Sequence, residues 1–284
     1  MLKIGDFNTL KVVRCSRGGC FLESGVPEQA ELYLPIKEAP PGILPGQSIS
    51  VFVFNDSKQK LGATTGVPLA KPGDFATLTV KDVTSFGAFL DWGISKDLFL
   101  PRKYWDRPLH KGERVVVFLK LDYEQRGVIG TCEVEQYLSK ETEVLQPNQR
   151  VRLLLYSVTR LGYKVVINNQ FPGLLYHGDI FESLQIGDER PGYIKKVRED
   201  GQVDVVLQPQ GFKPSSDAAS EKILAALRKS DGFLPLHDKS EPEVIYARLQ
   251  MSKKLFKKTI GVLYREGTVE LLEDGIRLTS QNGP

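Results

Sequence analysis

No stretch of this 284-residue sequence approaches the roughly 18 consecutive apolar residues that span a bilayer, so no membrane helix is expected. The opening Met1-Leu2-Lys3-Ile4-Gly5-Asp6 carries no long apolar segment of the signal-peptide kind, and a cytoplasmic location is expected. Cysteine is scarce. Cys15, Cys20 and Cys132 are an odd number without a Cys-x-x-Cys. That fits a reducing compartment, argues against a disulfide framework, and makes Cys15 and Cys20 small buried apolar residues. Histidine is limited to His110, His177 and His237, far apart and none at metal-ligand spacing with Cys, Asp or Glu. There is no Gly-x-Ser-x-Gly, no His-Glu-x-x-His and no phosphate loop ending in Lys-Ser or Lys-Thr. Gly18-Gly19 reads as a turn, and nothing brings Asp106 and Asp122 together as an acid–base pair. These absences predict no catalysis, no metal and no cofactor. Net charge is only +3, so any basic surface for nucleic acid has to be local.

What is present is a series of short alternating segments. Thr77 to Val83, Phe86 to Trp92, Asp97 to Leu100, Arg114 to Leu121 and Gly127 to Cys132 read as five strands, with Gly-containing breaks. Five such strands in about sixty residues fit a small closed barrel of the oligonucleotide-binding kind. At its centre stands Phe86-Gly87-Ala88-Phe89. Residues three apart face opposite sides of a regular strand, but a bulge or kink at Gly87 brings both rings to one face. Two rings on one face make a stacking platform for unpaired bases. Two rings inside the barrel core is the other open reading.

Phe86-Gly87-Ala88-Phe89, Asp97-Leu98-Phe99-Leu100 and Leu119-Lys120-Leu121-Asp122 with Arg126 together resemble a ribosomal protein S1-type RNA-binding domain. The resemblance implies an RNA face at Phe86, Phe89, Asp122 and Arg126. The family's third-strand histidine is Leu100 here, which removes one ring.

The central unit has a copy upstream. Gly5-Asp6-Phe7-Asn8-Thr9-Leu10-Lys11-Val12 aligns with Gly73-Asp74-Phe75-Ala76-Thr77-Leu78-Thr79-Val80, and Glu31-Leu32-Tyr33-Leu34-Pro35 with Asp97-Leu98-Phe99-Leu100-Pro101. Gly46 opens a strand run as Gly112 does, and Asp56 and Lys60 fall where Asp122 and Arg126 fall. Repeats of this length mean stacked or beaded copies of one fold. In the first copy Phe21 aligns with Phe89 but Gly18 with Phe86, so it reads as a degenerate platform, a structural or docking barrel as much as an RNA contact. A third copy follows the polar stretch 133–147. Val151 to Leu155, Tyr163 to Asn168, Gly173 to Tyr176 and Val203 to Leu207 are its strand candidates. Gly162 takes the place of Gly87, followed by Tyr163 and Lys164. Gly173-Leu174-Leu175-Tyr176-His177 resembles the S1 third-strand motif, with Tyr176 at the histidine position, where the other copies have Leu34 and Leu100, and His177 flanking the face. Lys195, Lys196 and Arg198 lie near the place of the Asp/Arg turn. Alternation directs Lys196 and Arg198 together and Lys195 away. They serve either a single-strand groove or a solvated strand edge.

After Gly211-Phe212-Lys213-Pro214-Ser215-Ser216 the apolar period changes from two to about 3.6. A first helix spans Ala218 to Lys229. Ser240-Glu241-Pro242-Glu243 reads as a capping box opening a second, with Val244, Ile245 and Leu249 inward. Ser252 caps a third, which Gly267 stops, and Asp274-Gly275 turns a hairpin. Three helices and a hairpin make a winged helix. On the third helix Leu255, Phe256, Ile260 and Leu263 pack inward, and Lys253, Lys254, Lys257 and Lys258 form an outward patch. The patch grips phosphates, docks protein, or is a solvated face. It has no Asn, Gln or Arg aimed at bases other than Arg265 at the far end, so sequence-specific DNA readout is not expected.

The fold class is therefore mainly β, three tandem S1-type barrels and a winged-helix domain, divided at 1–68, 69–135, 146–210 and 214–284. This order, with Gly162-Tyr163-Lys164-Val165-Val166-Ile167-Asn168 and Met251-Ser252-Lys253-Lys254 to Gly261-Val262-Leu263-Tyr264, resembles the bacterial conserved virulence factor B family. The resemblance implies an RNA-binding regulatory protein of the cytoplasm, without catalysis. Single-stranded RNA is the expected partner and a monomer the expected state. A winged-helix DNA-binding regulator, and a scaffold docking on ribosome or nuclease, are the other readings.

Overall fold

The computed structural model describes residues 2–27, 29–55, 60–122, 127–180, 182–209 and 216–279. Three five-stranded closed barrels follow one another. The first is built from β1 (Phe7–Cys15), β2 (Gly19–Val26), β3 (Gln29–Pro35), β4 (Ser48–Asn55) and β5 (Leu61–Thr64). The second comprises β6 (Phe75–Val83), β7 (Gly87–Leu90), β8 (Leu98–Pro101), β9 (Arg114–Asp122) and β10 (Gly127–Thr131). The third comprises β11 (Arg150–Val158), β12 (Gly162–Ile167), β13 (Phe171–Tyr176), β14 (Glu189–Val197) and β15 (Val203–Val206). In each, the third strand pairs in parallel with the fifth and the fourth closes on the first, the order of an oligonucleotide-binding barrel. β14 is the strand missing from the sequence reading. Its Pro191, Gly192 and charged residues break the apolar alternation.

The repeat extends to individual backbone bonds. Gly5, Gly73 and Asn148 each take a positive φ before the first strand, and each N–H reaches the fourth strand, at Val53, Leu119 and Ile194. Gly46, Gly112 and Gly187 likewise take positive φ, and donate to the carbonyl oxygens of Val12, Val80 and Leu155 on the first strand of their copy. A bulge interrupts the first strand at one place in every copy, between Val12 and Arg14, Val80 and Asp82, and Leu155 and Ser157. The bulge is thus one strand away from the predicted position. Gly87 serves another purpose. A Cβ there would meet the Leu100 carbonyl oxygen at 2.4 Å and the Phe99 ring at 2.7 Å. Gly19 faces Leu34 O and the Tyr33 ring in the same way, and Gly162 faces Leu175 O. Gly87→Ala is expected to cost about 1–3 kcal/mol, because a backbone oxygen cannot rotate away. A urea midpoint unchanged from the native protein would rule this out.

The barrels are stacked, not beaded. Phe52 and Phe54 of β4 join the core of the second barrel beside Trp92, and Lys71 pairs with Asp6 at 2.9 Å. Hydrogen bonding to Lys71 and to the Phe7 N–H holds the Asp6 carboxyl below its ordinary range. Between the second and third barrels Phe75, Val116, Val134, Leu154 and Val166 form a separate buried cluster. Asn169 there accepts the Phe75 N–H at 2.7 Å and donates to Asp74 at 2.9 Å. The polar stretch expected as a linker contributes to this junction: a 3-10 turn, Val134–Tyr137, stacks Tyr137 on Phe118 at 4.2 Å.

The winged helix consists of α1 (Ser216–Lys229), β16 (Phe233–Leu234), α2 (Pro242–Leu249), α3 (Lys253–Arg265), β17 (Val269–Leu271) and β18 (Ile276–Leu278). Ser252 caps α3 as expected, accepting the Leu255 N–H at 3.2 Å. Ser240 does not cap α2. Its hydroxyl accepts the His237 N–H at 2.9 Å, and Glu241 takes the N-cap position without a side-chain bond. Val244 is exposed, because the buried stripe of α2 is Ile245 and Leu249.

The cysteine expectation is overturned. Cys15 and Cys20 are bonded to each other. They are direct cross-strand partners flanking the β1–β2 turn, with Cα atoms 4.1 Å apart; Cys15 is exposed and Cys20 lies in the core. Spacing alone did not show this, because the pairing depends on where the hairpin turns. Cys132 remains a thiol, and burial pushes its pKa up to about 12.

Candidate nucleic-acid interface

The first hairpin of each barrel sets the register of one face. In the second barrel Phe89 pairs across with Phe99 on β8 and Asp82 on β6. The corresponding positions are Phe21, Tyr33 and Arg14 in the first barrel and Lys164, Leu174 and Ser157 in the third. The Phe89 and Phe99 rings lie 5.3 Å apart, and Phe21 and Tyr33 lie 5.5 Å apart. The first copy therefore has two rings on this face, not one.

Phe86 is not on a strand. It occupies the turn before β7 and is 80% exposed. Thr84 shapes that turn. Its hydroxyl accepts the N–H groups of Phe86 and Gly87, each at 3.3 Å, and donates to Gly87 O at 2.9 Å. The same turn presents Leu161, 61% exposed, in the third barrel, bound through Thr159. Phe86 O accepts the Arg102 N–H at 2.9 Å, which ties the 3-10 turn Arg102–Tyr104 to the platform. Arg102 lies 5.1 Å from the Trp105 ring, and Lys120 lies 4.1 Å from the Tyr104 ring while donating to the Tyr137 hydroxyl at 2.9 Å. Burial alone would lower the Lys120 pKa, but the hydroxyls of Tyr137 and Tyr104 outweigh it and the ammonium is held charged. Phe99, Arg102, Trp105 and Tyr33 were missed in the sequence. For Arg102 and Trp105 the signal was the run Arg102-Lys103-Tyr104-Trp105, basic and aromatic residues side by side.

Of the other predicted second-barrel residues, Asp122 ends β9 half-buried. Arg126 and Asp56 lie outside the described residues. In the first barrel Lys60 is exposed, and the Arg14 guanidinium, paired with Glu31 at 2.7 Å, lies 3.6 Å over the Phe21 ring. One face of that ring is thus already occupied.

The third barrel departs from its prediction. Tyr163 does not replace the Phe89 ring. It follows Gly162 directly, as Ala88 follows Gly87, so it points to the opposite side of the strand from Lys164. Its ring packs at the edge of the barrel core and its hydroxyl donates to Leu184 O at 3.1 Å. Tyr176 pairs with Gly162, the position of Pro101 and Pro35, whereas Leu100 and Leu34 correspond to the buried Leu175. The cations are engaged with acids: Lys164 with Glu135 at 2.7 Å, Lys195 with Asp179 at 2.7 Å, and Arg198 with Asp204 at 2.7 Å. Arg198 also donates to the Tyr176 hydroxyl. A bulge between Ile194 and Lys196 breaks the alternation assumed for these residues, and Lys196 is exposed. His177 lies edge-on to Tyr163 at 5.7 Å.

On α3, Lys254, Lys257 and Lys258 are exposed and Lys253 is half-buried. Lys257 pairs with Asp238 at 3.7 Å, and the Lys253 Nζ donates to Lys239 O at 3.3 Å. Among the described residues no cluster of three or more His, Cys, Asp or Glu has metal-binding geometry, and no helix is long and apolar enough to cross a membrane.

Comparison with known proteins agrees with this arrangement. The S1 domain family matches residues 4–66 and 72–132, and the CvfB-like winged helix domain matches residues 221–278. The chain belongs to the conserved virulence factor B family. Its relatives include YitL of Bacillus subtilis, 26% identical over 94% of this chain and 91% of that protein. Conserved virulence factor B of Staphylococcus haemolyticus is 23% identical over 98% of this chain and 95% of that one. A solved multidomain protein with nucleic acid binding domains from Streptococcus pneumoniae aligns with 97% of this chain and 98% of its own, at 23% identity and a TM-score of 0.47. The family's domains, S1 barrels and a winged helix, are nucleic-acid-binding domains.

Proposed function

We propose that this protein is a monomeric, cytoplasmic, non-catalytic regulator that binds single-stranded RNA, mainly on its second barrel. The observation that carries the reading is Phe86, a large ring turned almost wholly to solvent beside the Phe89–Phe99 pair, with Arg102 and Lys103 exposed nearby. An exposed phenylalanine held by a structured turn has no packing role. Rings for bases with cations for the backbone are what a single strand needs. The α3 lysines supply further phosphate contacts, and units on one chain raise each other's effective concentration.

A titration of the intact protein with single-stranded RNA and with duplex DNA at matched salt tests this. Tighter binding of the single strand is expected. Preference for duplex would favour a DNA regulator acting through α3, the reading suggested by its exposed Lys254 and Lys258. Replacing both lysines with alanine is expected to lower the salt slope of RNA binding by about 1.4, roughly 0.7 for each phosphate no longer neutralised. An unchanged slope would remove α3 from the interface.

A further inference from the structure

We propose that the cleft between the third barrel and the winged helix takes one unpaired guanine of the bound strand. The proposal rests on the RNA reading above and adds a base preference to it. The cleft holds about 590 Å³, within the range of small-ligand sites. Tyr163 and His177 line its barrel side and Tyr246 of α2 its other side. The Tyr163 hydroxyl is fixed on Leu184 O, and the His177 Nε2 lies 3.0 Å from Thr159 O, so neither ring has to be ordered on binding. Tyr163 faces away from Lys164 and so lies off the register shared by Phe21 and Phe89, which makes this contact separate from the S1 platform.

Aromatic side chains stack on any base. Selection falls to the charged groups at the rim, Glu182, Glu243 and Lys253. Glu182 is within 3.8 Å of Arg190, whereas Glu243, exposed in the first turn of α2, has no ion partner among the described residues. Guanine offers its N1–H and N2–H side by side, two donors for the two oxygens of one carboxylate. Adenine and cytosine set a ring-nitrogen acceptor beside the amino group, and uracil flanks its single N–H with carbonyl oxygens. A carboxylate repels each of those edges. Lys253 is then placed for the phosphate of the same nucleotide.

The test is fluorescence anisotropy on the intact protein with a short oligouridylate carrying one central guanosine, and with the same strand carrying adenosine there. The guanosine strand is expected to bind about tenfold tighter, the discrimination of a bidentate contact. Glu243→Gln should abolish the preference without weakening the binding of plain oligouridylate. Tyr246→Ala should weaken the guanosine strand alone. Equal binding of both strands, or a preference that survives Glu243→Gln, overturns the cleft proposal while the RNA reading stands. Failure of every strand to bind overturns both.

Discussion

The Phe86→Ala/Phe89→Ala protein is expected to remain folded and to lose on the order of a hundredfold in affinity for single-stranded RNA, at about 1–3 kcal/mol for each base stack removed. Folding is preserved because Phe86 is 80% exposed and makes no contribution to the core. Phe89 is half-buried against Phe99, and its removal exposes that ring without opening a sealed cavity. The β6–β7 turn does not depend on either side chain, since Thr84 holds it through backbone groups. Circular dichroism and the thermal midpoint give the folding control, and anisotropy with a short labelled oligonucleotide gives the affinity. A folded double variant that binds as the native protein does would end the platform assignment.

The other barrels supply internal controls. Phe21→Ala is expected to have a smaller effect than Phe86→Ala, because Arg14 covers one face of the Phe21 ring. The second barrel has Asp82 at the register position of Arg14, so no cation covers Phe89 from that position. Leu161→Ala, at the position of Phe86 in the third barrel, removes an exposed aliphatic tip with no π-face to offer a base.

The barrels were legible in the sequence because their signals are local and repeated. In the first two copies the glycine before the fourth strand and the Gly-Asp-Phe opening recur at nearly one offset, and these residues occupy equivalent backbone positions in the structure; the third copy was read from alternation and its Gly162 and Gly173 motifs. The winged helix was legible for a similar reason, from Ser252 and Gly267 at the ends of α3 and a stripe at period 3.6. Side-chain direction was less accessible. Phe86 and Tyr163 both neighbour the turn glycine of their copy, one before and one after, and that difference of position puts one in solvent and the other against a core edge. Lys164, Lys195 and Arg198 look like a groove in sequence, yet Glu135, Asp179 and Asp204 meet them from other segments. The Cys15–Cys20 bond likewise depends on hairpin register. Contacts of this kind come from tertiary placement, which local periodicity does not encode.

Trp92→Ala is expected to destabilise the protein by about 3–5 kcal/mol, the usual cost of emptying a large buried aromatic site. Trp92 is 2% exposed and lies at the junction of the first two barrels, edge-on to Phe52 of β4 at 5.4 Å. Its backbone oxygen accepts the Leu69 N–H at 2.8 Å, and its indole N–H donates to Ala70 O at 2.7 Å. One residue thus anchors the segment that joins the two barrels and fills the space between them. Alanine removes the ring from both sides of the junction and leaves the Ala70 carbonyl without that donor, so the first and second barrels should loosen together. Trp92→Phe restores most of the apolar volume but not the donor, and should cost about 1–3 kcal/mol, the penalty of an unsatisfied buried polar group. Trp105, the other tryptophan, stays in place as the fluorescence reporter of unfolding. If the alanine variant melts within a few degrees of the native protein, the two barrels are independent units and the junction carries no stability.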